Sequence, residues 1–257
     1  MFFEYKGVKI FYETTESGKS PLLLLHGWGA SHKAMEMLLR DLSANNTVIA
    51  PDFAGHGLSS EPNEPWDVTE YAKMILSLLD HLGITKTDII AHSFGGRVAL
   101  YIASERPERV SRLLLTGCAG LPNKPNNKLS AKTKTYKFLK KVADNSFTRA
   151  VFGKTVDTWR EKLIQRFGSA DYKVLSPSMR VTFNKVISQD LTFTLKKINA
   201  PTLLVWGEND TATPIWMGEK MEKEIKDCAL VRFENAGHFA YAEQYARFLP
   251  IARAFLK

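Results

Sequence analysis

Cysteine is scarce in this chain. Its 257 residues hold two, Cys118 and Cys228, far apart and each in or beside an apolar run. That pattern suits buried free thiols better than a disulfide or a metal site. No two histidines lie at metal-ligand spacing, so no metal is expected. Long hydrophobic runs are also missing. None approaches the roughly 20 apolar residues that span a bilayer. Residues 1–10 carry Glu4, Lys6 and Lys9 and no long apolar stretch, so they do not read as a secretory signal. The expectation is a cytoplasmic protein without a membrane span.

Acidic residues are thin in one segment. Between Leu121 and Lys196 stand sixteen Lys or Arg and five Asp or Glu, whereas the rest of the chain carries a small acidic excess. The net charge of +8 therefore belongs to that segment. A basic segment raises the question of nucleic acid. No aromatic-interleaved basic motif accompanies it, and no nucleic-acid partner is expected. The glycines of Pro51-Asp52-Phe53-Ala54-Gly55-His56-Gly57-Leu58-Ser59 lack phosphate-loop spacing, which argues against a nucleotide. No cofactor is expected.

What is present is an alternation of short apolar strands with helices. Phe2 to Tyr5 and Val8 to Thr14 read as two strands around Lys6-Gly7. Leu22-Leu23-Leu24-Leu25 is apolar at every position, as in a parallel strand buried on both faces. Thr47 to Ala50, Asp88 to Ala91, Val110 to Thr116, Pro201 to Trp206 and Ala229 to Phe233 complete eight strands. Helical spacing marks Met35 to Leu42, and Val68 to Leu82 with Gly83 as C-cap. It recurs over Gly96 to Ala103, Pro214 to Ile225, and one last helix running to about Leu256. The fold class is α/β: a mostly parallel eight-stranded sheet with helices on both faces.

From about Leu121 to Leu195 strand-like runs disappear. Helical patterns fall at Lys132 to Val142, Phe147 to Phe152, Trp159 to Phe167 and Met179 to Ile187. The expected organisation is a core of residues 1–120 and 196–257, with residues 121–195 as an inserted helical subdomain.

The chemistry centres on Ile89-Ile90-Ala91-His92-Ser93-Phe94-Gly95-Gly96. An apolar run stops at a serine, and a helix follows at once. That is a strand, a very tight turn and a helix, with the Ser93 hydroxyl lifted clear at the apex. The turn brings helix close to strand, so small residues are needed two positions either side, and Ala91 and Gly95 supply them. Phe94 then opens the helix with its amide lacking an intrahelical partner. In open α/β sheets ligands bind beyond the carboxyl ends of the strands. Ser93, Asp210, His238 and the His26-Gly27-Trp28-Gly29 loop each follow a predicted strand end.

Together these segments resemble the α/β-hydrolase superfamily on its serine-hydrolase side. The matching residues are His26-Gly27-Trp28-Gly29, Pro51-Asp52 with Gly55-His56-Gly57-Leu58-Ser59, Ala91-His92-Ser93-Phe94-Gly95-Gly96, Gly207-Glu208-Asn209-Asp210 and Ala236-Gly237-His238. Ala91 stands where the pattern usually has glycine, and it is small enough for the turn. The order is nucleophile, acid, then histidine. The resemblance implies Ser93 as nucleophile, His238 as its base and Asp210 as the acid orienting the imidazole. It implies an oxyanion hole of the backbone N–H groups of Trp28 and Phe94, and a cap, or lid, for the insertion. Asp80 and Asp88 stay open as alternatives to Asp210. His26 and His56 read as structural, His92 as packing behind the turn, and His32 and His81 as surface helix residues.

The implied activity is that of a carboxylesterase-like hydrolase acting on a small or medium acyl ester through an acyl-enzyme. C–C bond hydrolases and lyases use the same three residues, and a non-catalytic ligand receptor could keep the fold. Dehalogenase and epoxide-hydrolase chemistry needs an aspartate where Ser93 stands. The cap offers Tyr136, Phe138, Phe147, Phe152, Trp159, Phe167, Tyr172 and Phe183 as apolar lining or as its own packing. Its positive charge has two readings, a solvated helical face or attraction of an anionic acyl substrate.

Overall fold

The computed structural model describes residues 1–15, 20–122, 161, 165 and 170–257. The chain divides into two compact units, Met1–Pro122 with Asn184–Lys257, and Asn123–Phe183. The first unit is built on an eight-stranded sheet. Its strands are β1 (Phe2–Tyr5), β2 (Val8–Thr14), β3 (Pro21–Leu25), β4 (Thr47–Pro51), β5 (Thr87–His92), β6 (Val110–Thr116), β7 (Thr202–Gly207) and β8 (Cys228–Phe233). The spatial order is β1-β2-β4-β3-β5-β6-β7-β8. β1 and β2 pair antiparallel, as do β2 and β4, and every other neighbouring pair is parallel.

Continuous apolar runs are needed because both faces of the sheet are covered. Leu23, Leu25, Ile89, Ala91, Leu113, Leu115, Leu204 and Trp206 face one core cluster. The alternate residues Leu22, Leu24, Ile90, Leu114, Leu203 and Val205 face the other. Among the described residues the helices are α1 (Glu36–Leu42), α2 (Val68–His81), α3 (Phe94–Glu105), α4 (Ala170–Val174), α5 (Pro177–Ser188), α6 (Trp216–Glu224), α7 (Ala240–Glu243) and α8 (Tyr245–Phe255). α2, α3 and α6 bury Tyr71, Ile75, Leu78, Val98, Ile102 and Met221 in the first cluster. α1 and α8 bury Leu38, Leu42, Phe248 and Ala252 in the second.

Local signals account for the helix ends. Asp67 caps α2 by accepting the Glu70 amide at 2.9 Å. Gly83, at φ +69°, ends it in the left-handed conformation that glycine adopts without strain. The expected single C-terminal helix is instead two. Gln244, at φ −123° and ψ 48°, breaks it between α7 and α8. Its side-chain amide donates to the Glu234 carbonyl at 2.5 Å, which draws the break back onto the preceding loop.

The first unit takes the chain back at Asn184, and Val186, Leu191 and Leu195 lie in its core cluster. In the second unit Arg180 pairs with the Glu161 carboxylate at 2.6 Å, and the Tyr172 and Phe183 rings lie 5.7 Å apart. The helices expected at 132–142 and 147–152, and most of that at 159–167, fall outside the described residues. So do Tyr136, Phe138, Phe147, Phe152, Trp159 and Phe167.

Strand register gathers the functional loops on one edge. Leu25 lies beside Ala91, His92 beside Thr116, Thr116 beside Val205, and Gly207 beside Phe233. The segments leaving β3, β5, β7 and β8 therefore start from neighbouring points. α3 also begins hard against the end of β3. The Gly95 amide donates to the His26 carbonyl at 3.1 Å. A Cβ at Gly95 would overlap the Leu25 carbonyl and stand 2.8 Å from the His26 carbonyl oxygen. Both neighbours are backbone and cannot swing away. Gly95→Ala is therefore expected to lower stability by about 3 kcal/mol, read as a fall in the urea midpoint. A wild-type midpoint would show that α3 can move off β3.

Candidate active site

Ser93 sits between β5 and α3 at φ 51° and ψ −110°, a backbone conformation that L-residues rarely adopt. Its neighbours hold it there. The Ser93 amide donates to the Thr116 carbonyl at 3.1 Å, and the Ser93 carbonyl accepts the Ala119 amide at 3.1 Å. The same Thr116 carbonyl takes the Nδ1–H of His92 at 3.0 Å. Both bonds tie the turn to β6. Behind it, a Cβ at Gly96 would overlap Cys118, so this part of α3 packs directly on the chain leaving β6. Cys118 is free and buried, and burial pushes its thiol pKa up, so it stays protonated.

Two further strand ends meet Ser93. Its hydroxyl lies 3.0 Å from Nε2 of His238, and Nδ1 of His238 lies 2.8 Å from Oδ2 of Asp210. The loop carrying His238 approaches β7 so closely that a Cβ at Gly207 would overlap the Ala236 and Gly237 carbonyls. The structure thus brings Ser93, His238 and Asp210 into one hydrogen-bonded row. The other two acids lie elsewhere, Asp80 against Arg109 at 2.7 Å and Asp88 against Arg112 at 3.3 Å.

The Asp210 carboxylate is buried and fully engaged. Oδ1 accepts the amides of Ala212 and Thr213, each at 2.9 Å. Oδ2 lies 2.8 Å from both the Thr213 hydroxyl and the imidazole. Burial pushes this carboxyl pKa up. The hydrogen bonds from His238 and from the Thr213 amide and hydroxyl outweigh that and hold it below the ordinary carboxylate range.

On the β3 side, Phe94 is the first residue of α3, so its amide belongs to the group that lacks intrahelical partners. The Trp28 ring meets the Phe94 ring edge-on at 5.2 Å, placing the two residues side by side. Histidines brace the loops beneath them. His26 donates from Nδ1 to the Gly27 carbonyl at 2.7 Å and accepts the Phe53 amide on Nε2 at 3.1 Å. Burial, then the neighbouring His56, push its pKa down to about 3, so it is neutral. His56 donates to the Ala54 carbonyl at 3.1 Å and packs edge-on to Trp28 at 4.6 Å. His92, also pushed down to about 3 chiefly by burial, lies 4.7 Å from the His238 ring.

One histidine departs from expectation. His32 is not a surface residue but is buried at the start of a helical turn. Its amide and its ring Nδ1 both bind Oδ1 of Asp52, at 2.6 and 2.9 Å. The cause is the fully buried Asp52 carboxylate, which needs donors on both oxygens and takes the Leu58 amide on the other at 2.8 Å. A Cβ at Gly57, which has φ +55°, would overlap that carboxylate. His81 is exposed, as expected.

Comparison with known proteins agrees with this architecture. A family model described as alpha/beta hydrolase fold matches residues 20–245. The pimeloyl-(acyl-carrier protein) methyl ester esterase of Neisseria meningitidis serogroup A is 29% identical over 260 residues, covering 91% of this chain and 76% of that protein. A hydrolase from Pseudomonas aeruginosa PA01 superposes with a TM-score of 0.76 at 25% identity, over 100% of this chain and 97% of that one. The enol-lactonase from Burkholderia xenovorans LB400 shares the fold, with a TM-score of 0.76 at 20% identity over 100% of this chain and 99% of that one.

Thr213 escaped the sequence reading. A threonine three residues after an aspartate reads as loop chemistry, yet its hydroxyl lies 2.8 Å from Asp210 Oδ2, 3.0 Å from the Gly117 carbonyl and 3.2 Å from His238 Nδ1. Thr213→Val keeps the backbone amide and removes that hydroxyl. A carboxyl whose folded pKa is depressed stabilises the protein above its unfolded pKa, and that stability is lost as pH falls through the folded pKa. In the variant the Asp210 pKa moves up towards the ordinary range. The expected result is about 1–2 kcal/mol less stability at neutral pH, and an acid unfolding limb displaced to higher pH. Urea unfolding across a descending pH series measures both, and an unmoved limb would contradict the role given to Thr213.

Proposed function

The chain belongs to the alpha/beta hydrolase fold family, and we propose that within it this hydrolase cleaves a small or medium carboxylic ester through an acyl-enzyme on Ser93. The observation that supports this reading most is the hydrogen-bonded row of Ser93 Oγ, His238 and Asp210, with steps of 3.0 and 2.8 Å. A serine hydroxyl is a poor nucleophile until a base takes its proton during attack. In this reading His238 Nε2 is that base. Asp210, kept ionised by its donors, fixes the tautomer with Nδ1 protonated and stabilises the imidazolium that forms.

Attack on the ester carbonyl turns its oxygen into an oxyanion. The backbone amides of Phe94 and Trp28 are the proposed donors to it, and each such donor is worth about 100- to 1,000-fold in rate. Collapse of the tetrahedral intermediate breaks the C–O bond, and the imidazolium returns its proton to the departing alcohol. Water then attacks the acyl-enzyme with His238 again as base, freeing the acid and restoring Ser93. The methyl ester named for the Neisseria protein supports an ester as the scissile bond. The cap expected at residues 121–195 is read as the second unit, 123–183, because Val186, Leu191 and Leu195 pack in the core of the first.

The test is a panel of p-nitrophenyl esters, methyl esters, a thioester and a lactone, run on wild type and on Ser93→Ala. The expected outcome is turnover of at least one ester by wild type, with kcat lower by about 10,000-fold or more in the variant. Equal rates for the two proteins would overturn the mechanism.

A further inference from the structure

The imidazole of His238 is fixed at its ring by Asp210, but a ring is only as well placed as the backbone that carries it. His238 stands in an irregular loop, Glu234 to Phe239, that includes Asn235 at φ 58°. No ladder of the sheet holds this loop. Its amides need partners from elsewhere. One side chain supplies two of them. The carboxylate of Glu243, the last residue of α7, turns back so that Oε2 accepts the Gly237 amide at 2.7 Å and Oε1 accepts the Phe239 amide at 3.2 Å. These are the residues immediately before and after His238. Bonds from amides to an ionised carboxylate are stronger than neutral ones, and two oxygens on one rigid plane fix a direction as well as a distance.

Three observations accompany this bridge. Among the described residues no Lys or Arg pairs with it, although its carboxylate is exposed. Gly237 leaves it room, since a Cβ there would stand 3.2 Å from Oε1. The helix breaks at the next residue, and the Gln244 side chain also turns back to the same loop, onto the Glu234 carbonyl.

We propose that Glu243 is a positioning residue for the reaction, whose carboxylate bridges the amides on either side of His238 and holds the imidazole in line between Asp210 and Ser93. The proposal rests on the reading of His238 as the general base. Misplacing a catalytic group by about 1 Å can cost about 100-fold. Loss of the bridge acts on chemistry and leaves ground-state ester binding alone.

The experiment compares wild type, Glu243→Ala, Glu243→Gln and His238→Ala on p-nitrophenyl butyrate, with thermal midpoints for all four. Glu243→Ala is expected to lower kcat by about 10- to 100-fold, with KM within about twofold. Glu243→Gln keeps one carbonyl acceptor in the same shape and is expected to recover part of that loss. The downfield proton resonance of His238 Nδ1–H is expected to shift or broaden in Glu243→Ala. Wild-type kcat in Glu243→Ala, a loss carried by KM, no recovery with Gln, or an unchanged imidazole resonance would each overturn the proposal. His238→Ala separates the two claims. Wild-type turnover there removes His238 as the base, whatever Glu243 does. An inactive His238→Ala beside a fully active Glu243→Ala removes only the positioning role.

Discussion

The architecture of this protein depends on one close approach, that of the first turn of α3 to the end of β3. Gly95 has no room for a side chain against the Leu25 and His26 carbonyls. That contact turns the chain sharply enough to leave Ser93 at φ 51°. The strain is held by backbone bonds to Thr116 and from Ala119, so the elbow is fastened to β6 as well as β3. Parallel register then does the rest. It sets β7 beside β6 and β8 beside β7, and the loops that leave them carry Asp210 and His238 to the same edge.

Several of the buried polar side chains around the site lean on backbone partners. Asp210 takes two amides on Oδ1 and keeps Oδ2 for the Thr213 hydroxyl and His238. His26 bonds the Gly27 carbonyl and the Phe53 amide. His92 bonds the Thr116 carbonyl. Burial keeps His26 and His92 neutral, so the proposed base has no charged histidine beside it. The Asp210 carboxylate is the charged group that touches the imidazole directly.

Much of this was legible in the sequence because it is written in local pattern. Leu22 to Leu25, apolar at every position, read as a strand covered on both faces. The abrupt stop at Ser93 followed by Gly95 and Gly96 read as a tight turn from strand to helix. Other features were illegible because they are tertiary. Choosing among Asp80, Asp88 and Asp210 needs the pairing of the first two with Arg109 and Arg112. His32 looked like a surface helix residue because nothing nearby in sequence reveals the buried Asp52 that it serves. Thr213 and Glu243 act through a single hydroxyl and a single carboxylate, and neither leaves a periodic signal. The break at Gln244 is hidden in the same way, since the residues around it are good helix formers.

In the proposed mechanism His238 activates Ser93 across the 3.0 Å that separates them. A fluorophosphonate reacts with an activated serine and leaves a stable adduct, so intact-protein mass spectrometry with peptide mapping tests the pair without knowledge of the natural substrate. One adduct, on Ser93, is expected in wild type, with labelling slowed by about 100-fold or more in His238→Ala. No adduct on Ser93, or equal labelling rates in the two proteins, would contradict it.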